Sequence, residues 1–185
     1  MALTESNMLA LGTEAPDFTL PDTVSGKNIS LNDIKSPVAT VVMFLCNHCP
    51  YVIHVNEGVV ELAKEYQEKS VAFVAISSND VANYPQDGPD KMKEHAKAVG
   101  YTFPYLYDET QEIAKAYDAA CTPDFYLFDH NMRLVYRGQL DGSRPGSGIP
   151  VTGEDLRNAL DAVLVKRPVS TVQRPSAGCN IKWKK

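Results

Sequence analysis

A chain of 185 residues has room for one hydrophobic core with extensions and would be crowded as two full domains. Its 44% hydrophobic and 22% charged composition excludes a disordered chain, and no stretch approaches the ~18 uninterrupted apolar residues of a membrane span. The net charge of -5 repels phosphate backbones, which disfavours nucleic acid as a partner. The opening residues, with Glu5 early and no basic start, do not read as a secretory signal, so a cytoplasmic protein without a membrane partner is expected.

Ala15 to Asp22 alternates in an extended pattern through Phe18 and Leu20. Gly26 separates it from Lys27 to Leu31, and together they predict a preliminary β-hairpin. Val38 to Leu45 is a nearly unbroken, valine-rich apolar run, which predicts a central parallel strand buried on both faces. After Pro50, the positions Val52, Val55, Val59, Leu62, Ala63 and Tyr66 follow helical spacing. Val71 to Ile76 predicts a second buried strand, Ser77 to Gln86 a polar loop, and Gly88 to Val99 a helix closed by Gly100. Phe103 to Tyr107 predicts a short strand and Glu109 to Tyr117 a short helix. Asp124 to Phe128 and Arg133 to Gly138 are strands joined by a tight antiparallel connection.

A Gly- and Pro-rich loop over Leu140 to Pro150 leads to a last helix capped by Thr152, with Leu156, Ala159, Leu160, Val163 and Leu164 on one face. From Pro168 no periodicity is visible, and Lys182, Lys184 and Lys185 read as a solvated end. This order predicts an α/β fold: a mixed β-sheet flanked by helices, with an N-terminal hairpin, a domain over residues 11–167 and a C-terminal tail over 168–185. In such sheets chemistry gathers where a strand's carboxyl end meets the next helix, and the first core strand ends at Cys46.

Four cysteines are too few for a disulfide scaffold. Cys46-Asn47-His48-Cys49 spans the turn from strand to helix, where two thiols three residues apart come within bonding distance. The helix N-terminus favours thiolate over thiol, and His48, inside the pair, is expected to stabilise a Cys46 thiolate further. A stabilised thiolate makes the disulfide a better oxidant. His54, His95 and His130 read as surface or boundary residues. A lone Cys-x-x-Cys also occurs in zinc sites, but no second pair completes one; no metal and no cofactor is expected.

These residues resemble the thioredoxin superfamily, and most closely the redoxin branch of the alkyl hydroperoxide reductase and thiol-specific antioxidant proteins. The resemblance is carried by Ala15-Pro16-Asp17-Phe18-Thr19-Leu20, by Phe44-Leu45-Cys46-Asn47-His48-Cys49-Pro50 and by Cys121-Thr122-Pro123-Asp124-Phe125. With Pro175 to Trp183 it extends to a subgroup called peroxiredoxin-like proteins. The resemblance implies a thioredoxin-like fold, a cis Pro123 facing the dithiol, and a Thr122 whose backbone pairs with an extended substrate. Cys46 would attack a disulfide and Cys49 would resolve the mixed disulfide, with a disulfide-containing protein or small molecule as substrate and a thiol donor or acceptor as partner.

Departures from the family pattern matter for the reaction. Pro37 to Leu45 contains no carboxylate, and Leu45 stands where thioredoxins place tryptophan. Cys46 occupies the place of the peroxidase threonine, and Thr122-Pro123 falls where the peroxidase arginine is expected, leaving Arg133 and Arg137 as substitutes or plain surface residues. Two alternatives therefore stand beside the oxidoreductase: a thiol peroxidase passing through a sulfenic acid, and a metal or copper carrier using Cys46, Cys49, His48 and Cys121. In the tail, Ile181 and Trp183 are expected to dock and to hold Cys179, which with Cys121 is a possible auxiliary thiol.

Overall fold

The computed structural model describes residues 2–185. In chain order its elements are β1 Leu3–Glu5, β2 Thr19–Pro21, β3 Asn28–Ser30, α1 Leu31–Ile34, β4 Ala39–Phe44, α2 Pro50–Gln67, β5 Val71–Ser77, α3 Pro89–Val99, β6 Tyr105–Tyr107, α4 Glu112–Ala116, β7 Cys121–Thr122, β8 Asp124–Phe128, β9 Leu134–Gly138, α5 Glu154–Leu164 and β10 Ala177–Asn180. The main sheet has the order β6-β5-β4-β8-β9, with β4 parallel to β5 and antiparallel to β8. This is the mixed, thioredoxin-like α/β arrangement that the sequence implies.

Every residue of the central strand β4 is buried, because both faces of the sheet are covered. Successive side chains alternate between those faces. Val41 and Met43 join a core with Val52, Val55 and Val59 of α2 and Leu156 and Leu160 of α5. Val42 and Phe44 enter the opposite core, where Phe44, Tyr117, Tyr126 and Phe128 meet as tilted or edge-on rings 5.6 to 6.1 Å apart.

Two helix starts differ from the sequence reading. A four-residue helix, α1, follows the hairpin without any periodic signal. Ser30 caps it by accepting from Asp33 N while the Asp33 carboxylate accepts from Ser30 N. Thr152 is not the cap of α5. That position is Gly153, at φ 71, and Asp141 reaches over from the preceding loop to accept from Thr152 N at 2.8 Å and Gly153 N at 2.7 Å.

The largest difference lies beyond Pro168, where the chain does not run free. β10 inserts antiparallel between β1 and β7, with Cys179 opposite Leu3 on one side and opposite Thr122 on the other. Ile181 is 1% exposed and belongs to the aromatic core, whereas Trp183, expected to dock, is 39% exposed with Lys115 over its ring. Lys182 is buried rather than solvated. Its main chain is tied to Asn79, Asp80 and Gln111, and its ammonium donates to Asn180. Two glycines admit this segment: a Cβ on Gly178 would lie 2.0 Å from Thr122 O, and one on Gly138, at φ +136, would lie 2.0 Å from Arg174 O.

Candidate active site

β4 ends just before the dithiol. Cys49 caps α2, and its carbonyl accepts from Val52 N and Ile53 N, both at 3.0 Å, with Pro50 as the first helical residue. The turn between the cysteines is pinned through Asn47, which donates its N–H to Asp87 at 2.9 Å and its amide to Gln86 O, and accepts from the Tyr105 hydroxyl. Opposite stands the cis Thr122–Pro123 peptide. Cys46 Sγ lies 3.4 Å from Thr122 Oγ1, and Cys49 Sγ lies 3.5 Å from Thr122 O. The structure therefore brings Cys46, Cys49, Thr122 and Pro123 into one place. Both thiols are sealed, at 1% and 0% exposure.

Each of the two thiols shifts the ionisation of the other. Charge settles on Cys49, whose thiol is lowered to about 5. The Cys46 thiol donates to it first of all, helped by the Cys179 thiol and by the N–H groups of Val52 and Cys179, against the opposing effect of burial. Cys46 is held well above the ordinary thiol range, by the bond to Cys49, by burial and by the nearby Asp87 carboxylate. The Thr122 carbonyl pulls the other way, since it accepts from Cys49 only while that sulfur keeps a proton.

His48, expected to stabilise a Cys46 thiolate, sits beside Asp87 with a ring nitrogen within 4.8 Å of Cys46 Sγ. Its Nδ1 lies 2.5 Å from Asp87 Oδ2, its ring stacks on Tyr84 at 5.8 Å, and neither ring nitrogen has an aligned hydrogen-bond partner. The imidazole faces the buried Asp87 carboxylate. Among the described residues, ligand atoms of Cys46, His48 and Asp87 lie within 4.8 Å of one another. The His48–Asp87 contact is too short for both atoms to ligate one ion, as bonds of ~2.0–2.3 Å in a tetrahedron would separate them further.

A second buried acid lies on the other side of the cis-proline. Asp124 is pushed up to about 7 by burial, and it accepts from Ser6 Oγ, Tyr126 OH and Phe125 N at 2.9 to 3.1 Å. Sequence reasoning missed both acids as site residues. Asp124 had a signal, a carboxylate opening an otherwise apolar strand; Asp87 had none, being 40 residues from its partner Asn47.

The two remaining cysteines part company. Cys121 Sγ points to Pro123 O and Ser176 O, at 3.9 and 4.0 Å, and burial raises its thiol far up, so it does not join Cys46, Cys49 and His48 as a carrier site requires. Cys179 packs in the same core as the dithiol, with its thiol pushed up to about 12 by burial first and by the neighbouring Cys49 second. Thr122, expected to offer its backbone to a substrate, already carries β10 along that edge.

Neither candidate peroxidase arginine is free. Arg133 lies 3.8 Å from Glu14, and Arg137 donates to Leu9 O and Gln173 Oε1. His130 is exposed and His54 bonds Ser143, as boundary residues do. His95 is half-buried against Asn56 and Tyr101, and burial lowers it.

A buried strand turning into a helix at two paired thiols, under a cis-proline, defines a thioredoxin-fold dithiol protein. The chain belongs to the AhpC/TSA family, whose model matches residues 11–137. It is 60% identical to an uncharacterized conserved protein from Geobacillus kaustophilus of known crystal structure, over 100% of this chain and 97% of that one, with a TM-score of 0.98. It is 31% identical over 117 residues to a Mycobacterium tuberculosis protein with the provisional peroxiredoxin name MT2597, covering 63% of this chain and 69% of the relative. It is 26% identical over 162 residues to the thiol-disulfide oxidoreductase ResA of Geobacillus thermodenitrificans, covering 86% and 82%. Among the described residues, no helix is long and apolar enough to cross a membrane.

Proposed function

We propose that this protein is a thiol–disulfide oxidoreductase whose Cys46 attacks a substrate disulfide. The observation that carries this reading is the buried Cys46–Cys49 pair against the cis Thr122–Pro123 peptide, with Cys46 Sγ 3.4 Å from Thr122 Oγ1 and Cys49 Sγ 3.5 Å from Thr122 O. As substrate approaches, the Cys46 proton moves to Cys49, and the Cys46 thiolate forms a mixed disulfide while one substrate sulfur leaves and takes up a proton. Cys49 then gives up its proton and attacks Cys46 Sγ, which releases the second substrate sulfur and leaves a Cys46–Cys49 disulfide. Two electrons pass to the substrate, and an external dithiol restores the enzyme.

The family and the mycobacterial relative support a second reading, reduction of peroxide at Cys46 with a sulfenic acid closed by Cys49. The pairing of Arg133 and Arg137 elsewhere disfavours it. Turnover of a disulfide substrate such as insulin, measured beside stopped-flow oxidation by hydrogen peroxide, tests the choice. The expected result is disulfide turnover abolished in Cys46→Ala and in Cys49→Ala. A peroxide rate of about 10⁷ M⁻¹s⁻¹ or above, with no disulfide turnover, overturns the proposal.

A further inference from the structure

The edge of Thr122 on which an extended substrate would pair is occupied by the chain's own β10, and the residue opposite Thr122 is a cysteine. In an antiparallel pair, opposite side chains project to the same face, so the Cys179 thiol lies on the side where Thr122 Oγ1 meets Cys46. Cys46, Cys49 and Cys179 are 1%, 0% and 4% exposed and share one core. Cys46 and Cys49 both reach Thr122, at 3.4 Å and 3.5 Å, and Thr122 is the residue that Cys179 stands opposite. Cys121, one residue along, faces away toward Pro123 O and Ser176 O.

The placement of Cys179 is built with some care. Gly178 leaves no space for a side chain against Thr122 O and Pro123, Ser176 accepts and donates through Ser6 and Pro123, and Lys182 is fixed by Asn79 and Asp80. A cysteine held in this way, beside the inner member of a dithiol, is in the position of an internal substrate.

We propose that Cys179 is a third redox thiol that takes Cys49 over from the Cys46–Cys49 disulfide. This rests on the dithiol reading above. Cys179 Sγ attacks Cys49 Sγ, the Cys46–Cys49 bond breaks as the Cys49–Cys179 bond forms, and Cys46 leaves as a thiolate that accepts the proton released from Cys179. No electrons are gained or lost, so no further oxidant is needed. The disulfide moves inward to the tail strand, and Cys46 is restored for a second attack.

The test is limited oxidation by diamide, acid quenching, alkylation and peptide mapping of the wild-type chain, Cys46→Ser and Gly178→Ala. The expected result is both Cys46–Cys49 and Cys49–Cys179 in the wild type, with Cys49–Cys179 the main species in Cys46→Ser. In Gly178→Ala, which moves β10 without altering a sulfur, Cys49–Cys179 should fall about tenfold while Cys46–Cys49 still forms. Absence of Cys49–Cys179 from both the wild type and Cys46→Ser, or capture of Cys121 instead, overturns the proposal and leaves the dithiol reading standing. Absence of Cys46–Cys49 from the wild type defeats the dithiol reading and the relay with it.

Discussion

The dithiol has two differently built sides. On the turn side, Asp87 places a buried carboxylate near Cys46, with His48, Asn47 and Asn79 gathered on its oxygens. On the strand side, Cys49 meets donors: the Cys46 and Cys179 thiols and two backbone N–H groups. A negative neighbour at one sulfur and hydrogen-bond donors at the other drive the charge inward to Cys49. The helix terminus is one contribution among several to this field, and placement of the pair at a helix start does not by itself say which thiol ionises.

The strand side breaks most visibly with pH. Asp124 holds its proton up to about 7 when folded and up to about 4 when unfolded, so the folded state binds more protons within that window. Its contribution to stability therefore falls as pH rises from about 4 to 7, by about 4 kcal/mol in all. Asp124→Asn should lose this slope, as read from urea unfolding at pH 4 and pH 8. An unchanged slope would place the titrating group elsewhere.

The turn side should yield next. Asp87→Ala leaves the Asn47 N–H and the Asn79 amide without their acceptor, and unfolding should become easier by about 3 kcal/mol. In the same variant the Cys46 thiol should move down toward the ordinary range, since a carboxylate that held it up is gone. Thiolate absorbance near 240 nm against pH reads that shift, and a shift upward would refute the assigned direction.

Gly138→Ala tests how far the strand side depends on the C-terminal segment. A Cβ there meets Arg174 O at 2.0 Å, so the segment should lift from β9, with a stability loss of about 2 kcal/mol and faster alkylation of the dithiol. Iodoacetamide labelling below the unfolding transition measures it. The smallest expected effect is that of Cys46→Ala on Cys49. Removing its foremost donor should raise the Cys49 thiol toward the ordinary range, as absorbance near 240 nm against pH would read, while Cys179 and the backbone donors still lower it.

What the sequence made legible divides along the same line. β4, α2 and the β8–β9 hairpin carry their own periodicity, and the dithiol turn sits between two such elements, so Cys46 and Cys49 could be placed by inspection, whereas the Thr122-Pro123 loop was placed by the family resemblance. Asp87 meets Asn47 across 40 residues and Thr122 meets Cys46 across 76, and no local pattern records either approach. β10 has only four residues, among them Ala177 and Gly178, so its apolar content is too small to alternate visibly. Gly178 is small because a carbonyl lies against it, a reason visible only once Thr122 is in place. The misassigned cap has the same origin: Thr152 has the right chemistry, but Asp141 reaches the helix start from eleven residues upstream.

The near-zero exposure of Cys46 and Cys49 also changes what a reactivity measurement reports. A reagent that does not fit the closed site must wait for a local opening, so its observed rate is the intrinsic rate of the thiolate multiplied by the fraction of molecules open at any moment. Each ~1.4 kcal/mol of opening free energy slows such labelling about tenfold, whatever the ionisation of the sulfur. Bulky alkylating agents and small oxidants will therefore rank the same two cysteines differently, and the ratio of their rates is a direct gauge of how often the site unlatches.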